Sequence, residues 1–213
     1  MSFVGQSSSV GPSSLARRLR GPLAGLFALS PSLAFAHTGV GDTHGFVHGF
    51  LHPIGGIDHI LAMVAVGIFA ANLGGRALWA VPAAFVTLMA VGGALGMSGI
   101  EVPFVEIGIA ASVIALGAAV ALDWKEWPLG LAMAMVGFFA IFHGHAHGAE
   151  MPPDASGAGY AAGFMLATAL LHLAGIGIGI AIGRIGENRA PHLTRIVGAF
   201  VAVAGVGLLT GVL

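Results

Sequence analysis

VHGFLHPIGGIDHILAMVAVGIFAANL, residues 47–73, is the stretch on which the fold turns. It is long and apolar enough for a membrane crossing, which takes about 20 residues of helix. Yet it carries His48, His52, Asp58 and His59. Pro53, followed by Gly55 and Gly56, should break or kink the helix, because proline removes a hydrogen bond and clashes with the preceding turn. A helix interrupted within a membrane frees backbone groups for an ion, so the break and the imidazoles point the same way. On an ideal unbroken helix His48, His52 and His59 would lie within about 40° of one another, with His44 adjacent.

Further along lie five more stretches of spanning length, with approximate limits 77–98, 103–122, 128–147, 159–183 and 193–213. Turn residues separate them: Gly74-Gly75, Ser98-Gly99, Trp124 to Pro128, Pro152-Pro153 and Asn188 to Pro191. Composition agrees, since 57% of the 213 residues are hydrophobic and only 8% are charged, too few for a surface that faces water on all sides. A backbone in lipid must satisfy its own hydrogen bonds, and these runs are too long for barrel strands. The expected fold is therefore all-α: a polytopic membrane protein of about six transmembrane helices following a cleaved signal peptide.

The leader is read from Arg17, Arg18 and Arg20, an apolar run from Pro22 to Leu33, and the small-x-small triplet Ala34-Phe35-Ala36. Cleavage after Ala36 divides the chain into a signal peptide, 1–36, and a transmembrane domain, 37–213. The remaining basic residues then fall in alternate connections: Arg76, Lys125, and the group Arg184, Arg189 and Arg195. Positive charge marks the cytoplasmic side, which puts both mature termini in the periplasm of a bacterial inner-membrane protein. Trp79, Trp124 and Trp127 are expected near the inner interface.

Thirty-five glycines are accounted for by close helix packing. Gly92 and Gly96 share one helix face, as do Gly175, Gly179 and Gly183. The Gly175-Ile-Gly-Ile-Gly run is no nucleotide loop, because no strand precedes it. Nothing in the chain suggests nucleic-acid binding, and the net charge of −1 does not discriminate among partners.

The second cluster is FHGHAHGAE, residues 142–150. His143, His147 and Glu150 follow i, i+4, i+7 spacing and share a helix face, while His145 points to the other side. With ten histidines and no cysteine, the chain offers nitrogen and carboxylate donors but no thiolate. Such ligands suit Ni²⁺, Co²⁺, Zn²⁺ and Cu²⁺ and disfavour Cu⁺ or an iron–sulfur cluster. The candidate metal ligands are His52, Asp58, His59, His143, His147, Glu150 and His172. His37, His44, His48, His145 and Glu106 form a secondary set, with Glu106 expected to face the bundle interior from within the third span. His37 and His192 also fit plain solvated loop residues, and Met63, Met133 and Met135 fit apolar packing.

The run HPIGGIDH followed by Ile60-Leu-Ala-Met63, FHGHAHGAE, and the later LHLAG around His172 together resemble the HupE/UreJ family of bacterial membrane proteins. The resemblance covers essentially the whole chain. It implies a nickel, sometimes cobalt, permease associated with hydrogenases and ureases, with His52, Asp58, His59, His143, His147 and Glu150 as the matching positions. A looser likeness to the nickel/cobalt transporter family stops at the first motif. There four residues separate His from Asp-His, whereas five separate His52 from Asp58.

The expected function is thus uptake of Ni²⁺, or Co²⁺, by a secondary transporter or facilitator with no prosthetic group and no enzymatic activity. The metal ion and the lipid bilayer are its expected partners, and oligomeric state is not legible. No Walker motif is present to couple transport to ATP. Two other classes share these ligands: a membrane metal-binding sensor or accessory protein, and a His-rich membrane metalloenzyme. No nucleophile or general base stands out beyond the ligands themselves, which weighs against the enzyme.

Overall fold

A computed structural model describes residues 45–152 and 155–213. The leader, His37 and His44 lie outside the described residues. Among the described residues the regular structure is entirely helical: α1 (Gly45–Gly55), α2 (Ile57–Leu73), α3 (Ala77–Met97), α4 (Val105–Leu122), α5 (Leu129–Ala149), α6 (Gly157–Gly183) and α7 (Ala190–Leu209).

Helices α3 to α7 are each long and apolar enough to cross a bilayer, and α1 and α2 pass the same test only as a bent pair, a broken span or a re-entrant loop, which gives five to six candidate spans among the described residues. The break falls at Gly56, whose backbone is extended (φ −100°, ψ 124°), and the two helix axes differ by 82°. The interruption expected from Pro53, Gly55 and Gly56 is therefore present. It also corrects the single straight stripe expected of His48, His52 and His59, because His59 belongs to a different helix from the other two.

Helix α3 packs along α5, α4 along α7, and both α1 and α2 along α6. Glycine sets these distances. A Cβ on Gly92 or Gly96 of α3 would collide with the carbonyls of Ile141 or His145 on α5, and one on Gly144 would strike the Met89 carbonyl. Small residues thus let the histidine-bearing end of α5 lie directly against α3. Gly175 and Gly179 play the same part between α6 and α2, but Gly183 faces open space and does not extend that contact, contrary to the spacing.

The core is built from Met63, Val66, Phe69, Phe85, Met89 and Leu116, all fully buried. Met63 lies within this apolar packing, and Met133 and Met135 pack against it from partly buried positions. The outward faces are apolar too: Leu131, Phe138, Leu173, Ile196, Phe200 and Val203 are more than half exposed. A surface of this kind is stable in lipid and not in water. Trp79 and Trp124 are exposed, whereas Trp127 turns inward and sets its ring edge against Phe69 at 5.5 Å.

Candidate metal centre

The break at Gly56 positions the first donors. His52 lies one turn before the end of α1, and Asp58 and His59 occupy the first turn of α2. Asp58 Oδ1 accepts from the His59 backbone N–H at 2.9 Å and stands 2.8 Å from His59 Nδ1. A carboxylate is favoured at a helix N-terminus by the unsatisfied N–H groups there. Glycine leaves room for it, since a Cβ on Gly56 would stand 2.6 Å from that same oxygen and push the carboxylate aside. With Nδ1 held by Asp58, the other ring nitrogen, Nε2, is buried and has no hydrogen-bond partner among the described residues.

The second group comes from the last two turns of α5. His143 and His147 are buried, one turn apart, and Glu150 follows at the helix end with 31% of its side chain exposed. The fold interleaves the two motifs. Ring centroids are 4.6 Å apart for His52 and His147, 4.3 Å for His147 and His59, and 4.8 Å for His59 and His143. His52 Nε2 is 3.3 Å from Glu150 Oε2. Four imidazoles thus form a continuous ladder from the partly exposed Glu150 to the fully buried His143, with His48 beyond its outer end, 5.8 Å from His52.

One part of the ladder already has the layout of a cation site. A donor atom from each of His52, His147 and Glu150 lies within 4.8 Å of the others. Two donors bound at about 2.1 Å to one ion can be no more than about 4.2 Å apart. Side-chain movement that draws the more distant donors together would therefore complete the triad.

Three candidates stand apart from the ladder. His145 faces away, with Nε2 2.7 Å from the Ile100 carbonyl oxygen. His172, in the middle of α6, is 1% exposed, and neither ring nitrogen has a partner among the described residues. Phe85 separates it from His143, with its ring 5.7 Å from His143 and 5.1 Å from His172. Glu106 corrects the sequence expectation: it is in the first turn of α4 and exposed, because the helix starts at Val105 and leaves the carboxylate at its end. It nevertheless lines a pocket of about 180 Å³ together with Asp58.

The sequence reading missed Ser112, the lone hydroxyl residue in α4, whose Oγ is 2.8 Å from His143 Nε2. Its isolation in an apolar run was the available signal. It also missed Tyr160 and Phe164 of α6, which flank His48 and His147 at 5.7 and 4.0 Å and give no sign from spacing alone.

A family model described as HupE / UreJ protein matches residues 25–208. The chain belongs to the HupE/UreJ family. Protein HupE of Rhizobium leguminosarum bv. viciae is 48% identical over 182 residues, covering 85% of this chain and 92% of that relative. No solved structure matches. In this HupE/UreJ protein two of the three stretches that carry the family resemblance interleave to form the ladder, and the third, around His172, lies behind Phe85.

Proposed function

We propose that this HupE/UreJ protein is a permease that takes up Ni²⁺, or Co²⁺, across the bacterial inner membrane as a secondary transporter or facilitator. The observation that carries this reading is the imidazole ladder, which begins at the partly exposed Glu150 and ends in the buried core. Buried polar groups without partners cost about 1–3 kcal/mol each. Two on facing rings, His59 Nε2 and His143 Nδ1, favour a passing ligand over a stabilising role. In this scheme Glu150, His52 and His147 capture and partly dehydrate the ion. His59 and His143 receive it, and Asp58 offsets its charge through His59. His172 lies beyond Phe85 as the next station inward.

The connections bearing Arg76, Lys125, Arg184, Arg189 and Arg195 face the cytoplasm, as positive charge generally does. The ladder then opens to the periplasm and both mature termini are periplasmic. Residues 1–36 act as the signal peptide and 37–213 as the transport domain. The family's association with hydrogenases and ureases makes such nickel enzymes the destination. The discriminating experiment is metal flux into proteoliposomes. Nickel binding by pure protein without flux would instead make it a sensor or assembly accessory.

A further inference from the structure

Proton accounting at His143 leads one step further. Ser112 Oγ is 2.6 Å from the Ile109 carbonyl oxygen and 2.8 Å from His143 Nε2. A carbonyl oxygen only accepts, so the single hydroxyl hydrogen must lie in the shorter contact. Ser112 then has only a lone pair to offer His143, and Nε2 must bring its own hydrogen. In a neutral imidazole this leaves Nδ1 as the lone-pair nitrogen. His143 Nδ1 is buried and has no partner among the described residues. His59 is set the opposite way, since Asp58 accepts from its Nδ1 and leaves Nε2 as the lone pair, again buried and unpartnered. The two rings meet edge to face at 89°.

We infer that His59 Nε2 and His143 Nδ1 form a second divalent-cation position, deeper than the His52, His147 and Glu150 triad, and that Ser112 is the positioning residue that turns His143 toward it. This inference rests on the permease reading for its purpose and on hydrogen-bond geometry for its form. Hydrogen-bonded partners behind ligating histidines fix tautomer and orientation, and their loss usually weakens metal affinity about 10- to 100-fold. Asp58 does this for His59, and Ser112 does it for His143.

The test uses full-length protein labelled with ¹⁵N-histidine in detergent micelles or bilayers, and Zn²⁺ as a diamagnetic probe. In the wild type the ring that responds to Ser112→Ala should show a protonated Nε2, as should His145, whose Nε2 faces the Ile100 carbonyl, and Zn²⁺ should move the Nδ1 resonance of the Ser112-responsive ring. Ser112→Ala, which keeps the helix and deletes only the hydroxyl, should give that ring a mixed tautomer signature and weaken Zn²⁺ binding about tenfold or more. Ser112→Thr, which keeps the hydroxyl, should restore the wild-type pattern. If no histidine resonance responds to Ser112→Ala, or if Zn²⁺ moves the nitrogen facing Ser112, the inference is overturned. Intact spectra without nickel flux would defeat the permease reading alone, and flux with unresponsive spectra would defeat this one alone.

Discussion

The His59 and His147 rings, carried by helices that are remote in sequence, meet with centroids 4.3 Å apart and planes at 64°. This contact joins the two sequence motifs into one site and puts His147 between the outer triad and the buried pair. His147→Ala should therefore lower Ni²⁺ affinity more than loss of either neighbouring histidine alone. A fall of at least about tenfold is expected, at or beyond the effect of removing a supporting residue. Isothermal titration of pure protein with Ni²⁺, compared with His52→Ala and His59→Ala, measures the order.

Binding should weaken as pH falls. An imidazole binds metal through a neutral nitrogen, so each ligating histidine that takes up a proton is lost as a donor, and metal binding releases protons. Ni²⁺ affinity measured from neutral to mildly acidic pH should fall steadily, with proton release in the calorimetric signal varying with buffer ionisation. An affinity that rises on acidification would place the metal on groups other than these imidazoles.

His145 and Glu106 should separate under mutation despite their similar standing in the sequence. His145 is buried but turned away from the ladder to the Ile100 carbonyl, so His145→Asn should leave the nickel uptake rate of correctly folded protein nearly unchanged. Glu106 shares a pocket with Asp58 and can draw a cation toward the break in the helix. Glu106→Gln should slow uptake mainly at low Ni²⁺ and at low ionic strength, raising KM more than it lowers the maximal rate.

Helix contact should be equally selective. Gly144→Ala places a methyl group against the Met89 carbonyl, and overpacking of this kind costs about 1–3 kcal/mol. Gly177→Ala meets open space and should change stability by less than about 1 kcal/mol. Thermal unfolding of the two detergent-purified variants beside the wild type makes the comparison.

Much of this molecule is legible in its sequence because lipid imposes so simple a rule. Apolar runs of spanning length must be helices, and the helix limits agree with the hydrophobic limits to within a few residues. The interruption was legible in Pro53 and Gly56. Its consequence was not, because a periodicity assumes a straight helix and the 82° bend moves His59 to another axis. The meeting of His52 with His147 depends on α1 and α5 being neighbours, which no local pattern encodes. Glu106 was misplaced by helix ends, which hydropathy locates poorly. Ser112 was overlooked because a lone serine matters only through the ring it faces.

Uptake of radioactive Ni²⁺ into proteoliposomes, with Co²⁺ and Zn²⁺ as competitors and Asp58→Asn as the control, tests the central claim most directly. Saturable flux should appear with the wild type and fall about 10- to 100-fold at subsaturating Ni²⁺ when Asp58 no longer supports His59. Nickel entering at the wild-type rate through Asp58→Asn, or tight binding with no flux through the wild type, would contradict it.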